Sequence, residues 1–131
     1  MNLTLPWPPS ANTYWRHPTK GKLAGRHLIS EKGRAYREAV AWNVKAQLGA
    51  IKPTAARLAV EIEVFVPDRR RRDLDNLHKG LLDSLTHAGV WADDSQIDDL
   101  RIRRVRDEKG DLIIAGMVKV VITEEQGNGN G

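Results

Sequence analysis

The chemistry of this chain is concentrated in thirteen consecutive residues, Pro67-Asp68-Arg69-Arg70-Arg71-Arg72-Asp73-Leu74-Asp75-Asn76-Leu77-His78-Lys79. Asp73 and Asp75 are separated by one residue. Side chains alternate along an extended chain, so the two carboxylates would point to one side and share a cation if the backbone is still extended there. If Asp75 opens a helix, Lys79 follows one turn later on the same face and sets an ammonium beside the carboxylates. Four adjacent arginines repel one another unless they are solvated or neutralised by an anion, which suits a phosphate-bearing partner. A helix N-cap would account for one of the two aspartates and for nothing else in the run.

A second acidic point follows in Gly89-Val90-Trp91-Ala92-Asp93-Asp94-Ser95-Gln96. Adjacent side chains diverge, so only one of Asp93 and Asp94 is expected to join the first pair, and spacing does not say which. Hard divalent cations such as Mg²⁺ take oxygen ligands and keep several waters, so two or three carboxylates suffice. His17, His27, His78 and His87 show no metal-ligand spacing and read as surface residues. The chain has no cysteine, which excludes disulfide scaffolds, thiolate zinc sites and Cys nucleophiles.

The net charge of +4 conceals an uneven distribution. Residues 1–57 hold ten basic against two acidic residues, and residues 58–131 hold eleven against fifteen. An acidic site within a basic protein is expected where carboxylates hold a cation and their surroundings hold phosphate. No stretch approaches the length of a membrane span and the N-terminus lacks a signal-peptide pattern, so a soluble protein of the cytoplasm is expected.

The elements that position these residues follow from periodicity. A short strand at Leu3 to Leu5 runs into Pro6-Trp7-Pro8-Pro9, and Ser10 to Ile29 reads as a long loop. Ser30 is a candidate N-cap for a helix over 31–48 that carries Tyr36, Val40, Val44 and Leu48 on one face and ends at Gly49. Alternation predicts a strand from Leu58 to Val66, closed by Pro67. Leu77, Leu81, Leu82, Leu85 and Ala88 predict a second helix from Asp75 to His87. Two strands, Ile97 to Arg106 and Leu112 to Ile122, are joined at Asp107-Glu108-Lys109-Gly110, and this turn predicts that they pair antiparallel. The order β-α-β-α-β-β gives one α/β (α+β) domain over residues 1–124, a sandwich with a mixed sheet, followed by a disordered Gly/Asn-rich tail over 125–131. The apolar strand Leu112 to Ile122 offers either a subunit interface or a core strand.

In their order and spacing, Leu5-Pro6-Trp7-Pro8-Pro9-Ser10, then Arg72-Asp73-Leu74-Asp75-Asn76-Leu77 with Lys79, then Gly89 to Gln96, resemble the RusA family of Holliday junction resolvases, short endonucleases common in phages and prophages. The resemblance runs from about Leu3 to Ile122. It implies a structure-specific DNA endonuclease of recombination and repair that resolves four-way branched DNA by paired, Mg²⁺-dependent phosphodiester hydrolysis, with Mn²⁺ as a substitute ion. It implies metal ligation by Asp73, Asp75 and Asp94, a catalytic role for Lys79, and DNA contacts from Arg69, Arg70, Arg71, Arg72 and Asn76 and from Ser10, Asn12 and Thr13. Many relatives carry Asn-Asn after that serine where this chain has Ala11-Asn12. Arg16, Lys20, Lys22 and Arg26 of the first loop, with Arg34 and Arg37, would extend the phosphate-binding surface. Paired incision needs two copies of a chain with one carboxylate cluster, so a homodimer is expected. A non-catalytic branched-DNA-binding protein and a less selective structure-specific nuclease are the alternative readings.

Overall fold

The structure, a computed structural model, describes residues 1–125. From Gln126 on, the tail expected to be disordered lies outside the described residues. The elements are β1 (Asn2–Pro6), α1 (Ala11–Tyr14), β2 (Trp15–Arg16), β3 (Leu28–Ile29), α2 (Glu31–Leu48), β4 (Leu58–Phe65), a 3₁₀ turn (Leu74–Asn76), α3 (His78–His87), a second 3₁₀ turn (Asp94–Gln96), β5 (Ile97–Arg104) and β6 (Met117–Glu124). The α+β class and the mixed sheet agree with the sequence reading.

Alternation along β4 buries Leu58, Val60, Ile62 and Val64 on one face and turns Ala59, Glu61 and Glu63 to the other. The buried face meets Leu3 and Leu5 of β1, Val118, Val120 and Ile122 of β6, and a layer formed by Tyr36, Val40 and Val44 of α2 with Leu81, Leu82 and Leu85 of α3. Helix α2 starts where its cap allows: the Ser30 Oγ accepts from the Gly33 amide at 2.9 Å, and Gly49 ends the helix with a positive φ of 73°.

Sheet order differs from the sequence expectation. The strands lie as β1-β6-β4-β5, with β4 parallel to β5 and antiparallel to β6. β5 and β6 are therefore not partners, although the turn between them forms as expected, with the Gly110 amide bonded to the Asp107 carbonyl and a bridge between Arg106 and Leu112. Past that bridge the chain crosses the end of β4, where the amides of Ala115 and Gly116 both donate to the Val66 carbonyl. Residues 113–116 are consumed by this crossing, so the last strand starts at Met117 rather than at Leu112. Lying between β1 and β4, β6 is a core strand and not an interface.

The long first loop is also more ordered than its composition suggests. α1 and the β2–β3 pair close it, and Tyr14 lies fully buried between α2 and α3. Gly33 and Gly80 make room for Tyr14. A Cβ at Gly33 would stand 2.3 Å from the Tyr14 carbonyl oxygen, and one at Gly80 would stand 2.7 Å from the Tyr14 ring. Because backbone yields less readily than a side chain, Gly33→Ala is expected to destabilise the protein by about 1–3 kcal/mol, measured as a lower midpoint in denaturant unfolding with unchanged slope.

Candidate active site

Because β4 and β5 run parallel, the chain must cross back from the exit of β4 to the start of β5, and α3 lies on that crossing. The backbone leaves β4 through Pro67 and passes the arginine run, with Asp73 in extended geometry (φ −89°, ψ 129°). It then tightens into the Leu74–Asn76 turn, so Asp75 sits in a 3₁₀ turn and α3 begins only at His78. This corrects two expectations: Asp73 and Asp75 do not share one extended stretch, and Asp75 and Lys79 do not lie on one uninterrupted α-helix. Asp73 occupies the cap position of the turn, yet its side chain makes no cap bond. Among the described residues neither the Asp73 nor the Asp75 carboxylate has a hydrogen-bond or ion-pair partner, and both are exposed.

Two clefts flank the start of α3. One, of about 420 Å³, is lined by Trp7, Pro8, Pro9, Ser10, Arg71, Arg72, Asp73, Asn76 and Leu77. It joins five of the residues singled out from sequence: Ser10, Arg71, Arg72, Asp73 and Asn76. The other, of about 310 Å³, is lined by Trp15, His78, Lys79, Leu82, Asp83 and Asp94. It joins Lys79 to Asp94. Asp75 lines neither cleft and sits exposed on the turn that leads into α3.

The second acidic pair divides its labour. Asp93 caps the Asp94–Gln96 turn: its Oδ1 accepts from the Ser95 amide at 3.1 Å, while the Gln96 side chain accepts from the Asp93 amide at 2.8 Å. The amide bond from Ser95 and the contact with Asp94 lower the Asp93 pKa. Asp94 is left to face the Lys79 cleft, and its pKa is raised by burial, by Asp93 beside it and by the Asp83 charge. The capping geometry thus separates the two residues that spacing left open.

The four arginines are not equivalent. Arg72 donates to both Asp68 oxygens, at 2.7 and 2.9 Å, and lies over the Trp7 ring with 5.6 Å to its centroid. Those bonds, with the Arg70 amide, hold the Asp68 carboxyl down at about 2. Arg104 donates to the Arg72 carbonyl. Arg72 therefore holds the loop against the Pro-Pro segment, and Arg69, Arg70 and Arg71 are the exposed cations. Arg16, Lys20 and Lys22 are exposed in and beside the β2–β3 loop, and Asn12 and Thr13 are exposed on α1, with Ser10 Oγ donating to Thr13 Oγ1 at 3.1 Å.

One functional neighbourhood has no local mark in the sequence. Arg37 is expected from sequence at the phosphate-binding surface. Instead it donates from Nε and Nη2 to Asp83 Oδ2, at 2.9 and 2.6 Å, and from Nε to the Tyr14 hydroxyl at 2.9 Å. The Tyr14 hydroxyl donates in turn to Asp83. Burial alone would lower Arg37, but the bonds to Asp83 and Tyr14 outweigh it and raise its pKa. Burial, then the Asp83 bond, raises Tyr14. This triad fixes one wall of the cleft that holds Lys79 and Asp94. His78, in the same cleft, has a buried Nδ1 with no partner among the described residues.

The donors suit a hard divalent cation by their chemistry: carboxylate oxygens free of partners at Asp73 and Asp75, and at Asp94 a carboxylate crowded by two others. Their arrangement is open, and among the described residues no three His, Asp or Glu side chains stand close enough to enclose one ion.

The family model described as endodeoxyribonuclease RusA matches residues 6–115 of the chain. The chain is 45% identical over 123 residues to the crossover junction endodeoxyribonuclease of Enterobacteria phage 82, covering 94% of this chain and 93% of that protein. It is 44% identical over 123 residues to the enzyme of the same name from Escherichia coli strain K12, with the same coverage of each chain. Against that of Enterobacteria phage HK97 it is 45% identical over 120 residues, 92% of this chain and 91% of that one.

The split between Asp93 and Asp94 is testable without DNA. Asp93→Ala removes a turn cap and should lower the melting temperature. Asp94→Asn should raise it at pH 7, because a carboxyl whose folded pKa lies above its ordinary 3.8 opposes folding once ionised. That gain should fade as pH falls below 3.8, where the carboxyl is protonated in both states; melting curves from pH 3 to pH 7 check it.

Proposed function

The chain belongs to the RusA family of endodeoxyribonucleases, and from that premise we propose that it resolves Holliday junctions by Mg²⁺-dependent paired hydrolysis of phosphodiester bonds. The observation that carries the reading is Asp73, unpaired, on the wall of a cleft it shares with Arg71, Arg72, Ser10 and Asn76. A carboxylate without a partner beside arginines that are not turned toward it is an arrangement for a cation and a phosphate together, not for a structural ion pair.

Asp73, Asp75 and Asp94 would hold the ion, and the same donors accept Mn²⁺. Bound there, Mg²⁺ supplies Lewis-acid polarisation of the phosphate and acidifies water. The residues of the chain do the rest. Arg69, Arg70 and Arg71, with Arg16, Lys20 and Lys22, hold the backbone phosphates on either side of the cut. Ser10, Asn12, Thr13 and Asn76 offer neutral donors where the strand enters the first cleft. Lys79 places its ammonium beside Asp94, where it meets charge developing on the phosphoryl oxygens as water attacks phosphorus and the bond to the 3′ oxygen breaks. The water proton passes to solvent and the departing oxygen takes one up. The Arg37–Asp83–Tyr14 triad keeps the Lys79 side of the cleft in place.

Each chain carries one such site, so paired incision calls for a homodimer matched to the approximate twofold symmetry of a four-way junction. No helix of the described residues is long and apolar enough to cross a membrane. Relatives in an enterobacterial phage and in Escherichia coli support a reading in which the chain acts on DNA in the bacterial cytoplasm.

A labelled four-way junction incubated with Mg²⁺ should yield paired nicks in strands of like polarity, while linear duplex of the same sequence stays intact. Equal cleavage of both would reduce the reading to a general nuclease, and no product with Mg²⁺ or Mn²⁺ would leave only junction binding. Asp75→Asn should retain junction affinity in a gel-shift titration and lose cleavage by on the order of 10²-fold or more. Lys79→Ala should reduce single-turnover cleavage by a similar factor while its junction Kd changes little.

A further inference from the structure

Lys79 is an exposed ammonium that shares a cleft with Asp83 and Asp94, yet among the described residues it bonds to neither. Asp83 is the partner that its position offers. The two stand four residues apart within α3, one turn along the same face, and a lysine and an aspartate so placed attract one another. With the lysine N-terminal to the acid the attraction is of the weaker order, and a stronger donor overcomes it. Arg37 of α2 is that donor. Its Nε and Nη2 both donate to Asp83 Oδ2, and the Tyr14 hydroxyl donates to the same oxygen, so three bonds converge on one atom and hold the carboxylate toward α2. The Arg37 and Asp83 side chains are only 26% and 32% exposed, so solvent and salt screen their pairing less than they would an ion pair at the surface.

The fold itself requires a carboxylate at this place. Tyr14 is fully buried and gives its hydroxyl proton to Asp83, and a buried hydroxyl without a bond is costly. A negative charge is thereby fixed one turn from the ammonium that the proposed reaction uses. We propose that Arg37 is a positioning residue for cleavage: by claiming Asp83 it keeps the Lys79 ammonium unpaired and available to a phosphate in the cleft. The proposal rests on the reading of Lys79 as the group that meets charge on the phosphoryl oxygens. Arg37 touches no phosphate in this role. A guanidinium suits it better than an ammonium, because its fork puts two N–H groups on Asp83 while Nε also reaches the Tyr14 hydroxyl.

Competition for Asp83 has a signature that loss of structural support lacks: removing the aspartate should undo the damage of removing the arginine. Arg37→Met frees Asp83 to take Lys79. Single-turnover cleavage of a four-way junction with Mg²⁺ should then fall about two- to fivefold, the range that one partly exposed ion pair spans, with the junction Kd little changed. Adding Asp83→Asn to Arg37→Met should recover most of that loss, and Arg37→Lys, which keeps a cation on Asp83, should lose less than Arg37→Met. The state of Lys79 is read without DNA or metal by brief acetylation with acetic anhydride at pH 7 and peptide mass analysis, with Lys109 on the exposed Asp107–Gly110 turn as the reference in the same chain. A carboxylate partner favours the ammonium over the free amine that acylates. Relative to Lys109, Lys79 should therefore label about two- to fivefold more slowly in Arg37→Met than in the unaltered chain, and regain its rate in the double variant. Arg37→Gln, which leaves a neutral donor for the buried groups, should move the ratio the same way and serves if Arg37→Met does not fold. An unchanged labelling ratio in the folded Arg37 variants, or a double variant that labels no faster than Arg37→Met, would overturn the proposal. If the ratio moves as expected and the unaltered chain cleaves no junction, the nuclease reading fails and the competition for Asp83 stands. If the unaltered chain cleaves and the ratio does not move, the positioning role fails alone.

Discussion

The phenol of Tyr14 lies where α1, α2 and α3 meet, and the geometry of the site descends from that contact. Its ring lies against Gly80 of α3, its carbonyl lies against Gly33 of α2 and accepts from both the amide and hydroxyl of Ser30, and its hydroxyl joins Arg37 to Asp83. A single residue thus anchors a basic loop, holds the start of α2 through its backbone carbonyl and sets the distance between two helices through its ring. A buried hydroxyl is tolerable only when bonded, and here the partners are an arginine and an aspartate that would themselves be costly to leave unpaired. The three groups are therefore interdependent, and their common product is the position of the α3 turn that carries Lys79.

Local elements were legible in the chain, and long-range ones were not. Helix Glu31–Leu48, with its Ser30 cap and Gly49 stop, is determined by residues within a few positions of one another, and it forms with the expected bounds. Strand β4 is equally plain, because a strict alternation of Leu58, Val60, Ile62 and Val64 can face only one core. The pairing of β5 was misread because a tight turn usually joins neighbours, whereas here Ala115 and Gly116 bond to Val66 and carry the chain past β4 to its far side. The Arg37–Asp83–Tyr14 triad could not be seen at all: its members lie 23, 46 and 69 residues apart, and nothing local distinguishes Arg37 from any solvated arginine.

The proposed site shows the same division. Arg71, Arg72, Asp73 and Asn76 are close in the chain and therefore close in space, and Ser10 is brought to them by the Pro8-Pro9 segment that Arg72 holds through Trp7. Asp94 comes from another connection, and its choice over Asp93 depends on a hydrogen bond within the turn that no spacing rule specifies. The arginine run is not uniform: Arg72 is held on both oxygens of Asp68, Arg70 stands at 3.9 Å from the same carboxylate, and Arg69 and Arg71 have no acidic partner among the described residues. Among the described residues the three carboxylates form no compact cluster, and they come from two separate connections of the chain.

Gln47 has a consequence beyond β1. A strand edge with free amides and carbonyls recruits any other such edge, and a sheet open at both ends can propagate without limit into a fibril. By bonding both the Thr4 amide and the Thr4 carbonyl with its own carboxamide, Gln47 of α2 caps the β1 end of the sheet at its middle. Growth by edge pairing is terminated on that side by construction, and a protein rich in β-branched strands is thereby hindered from becoming the seed of its own aggregate.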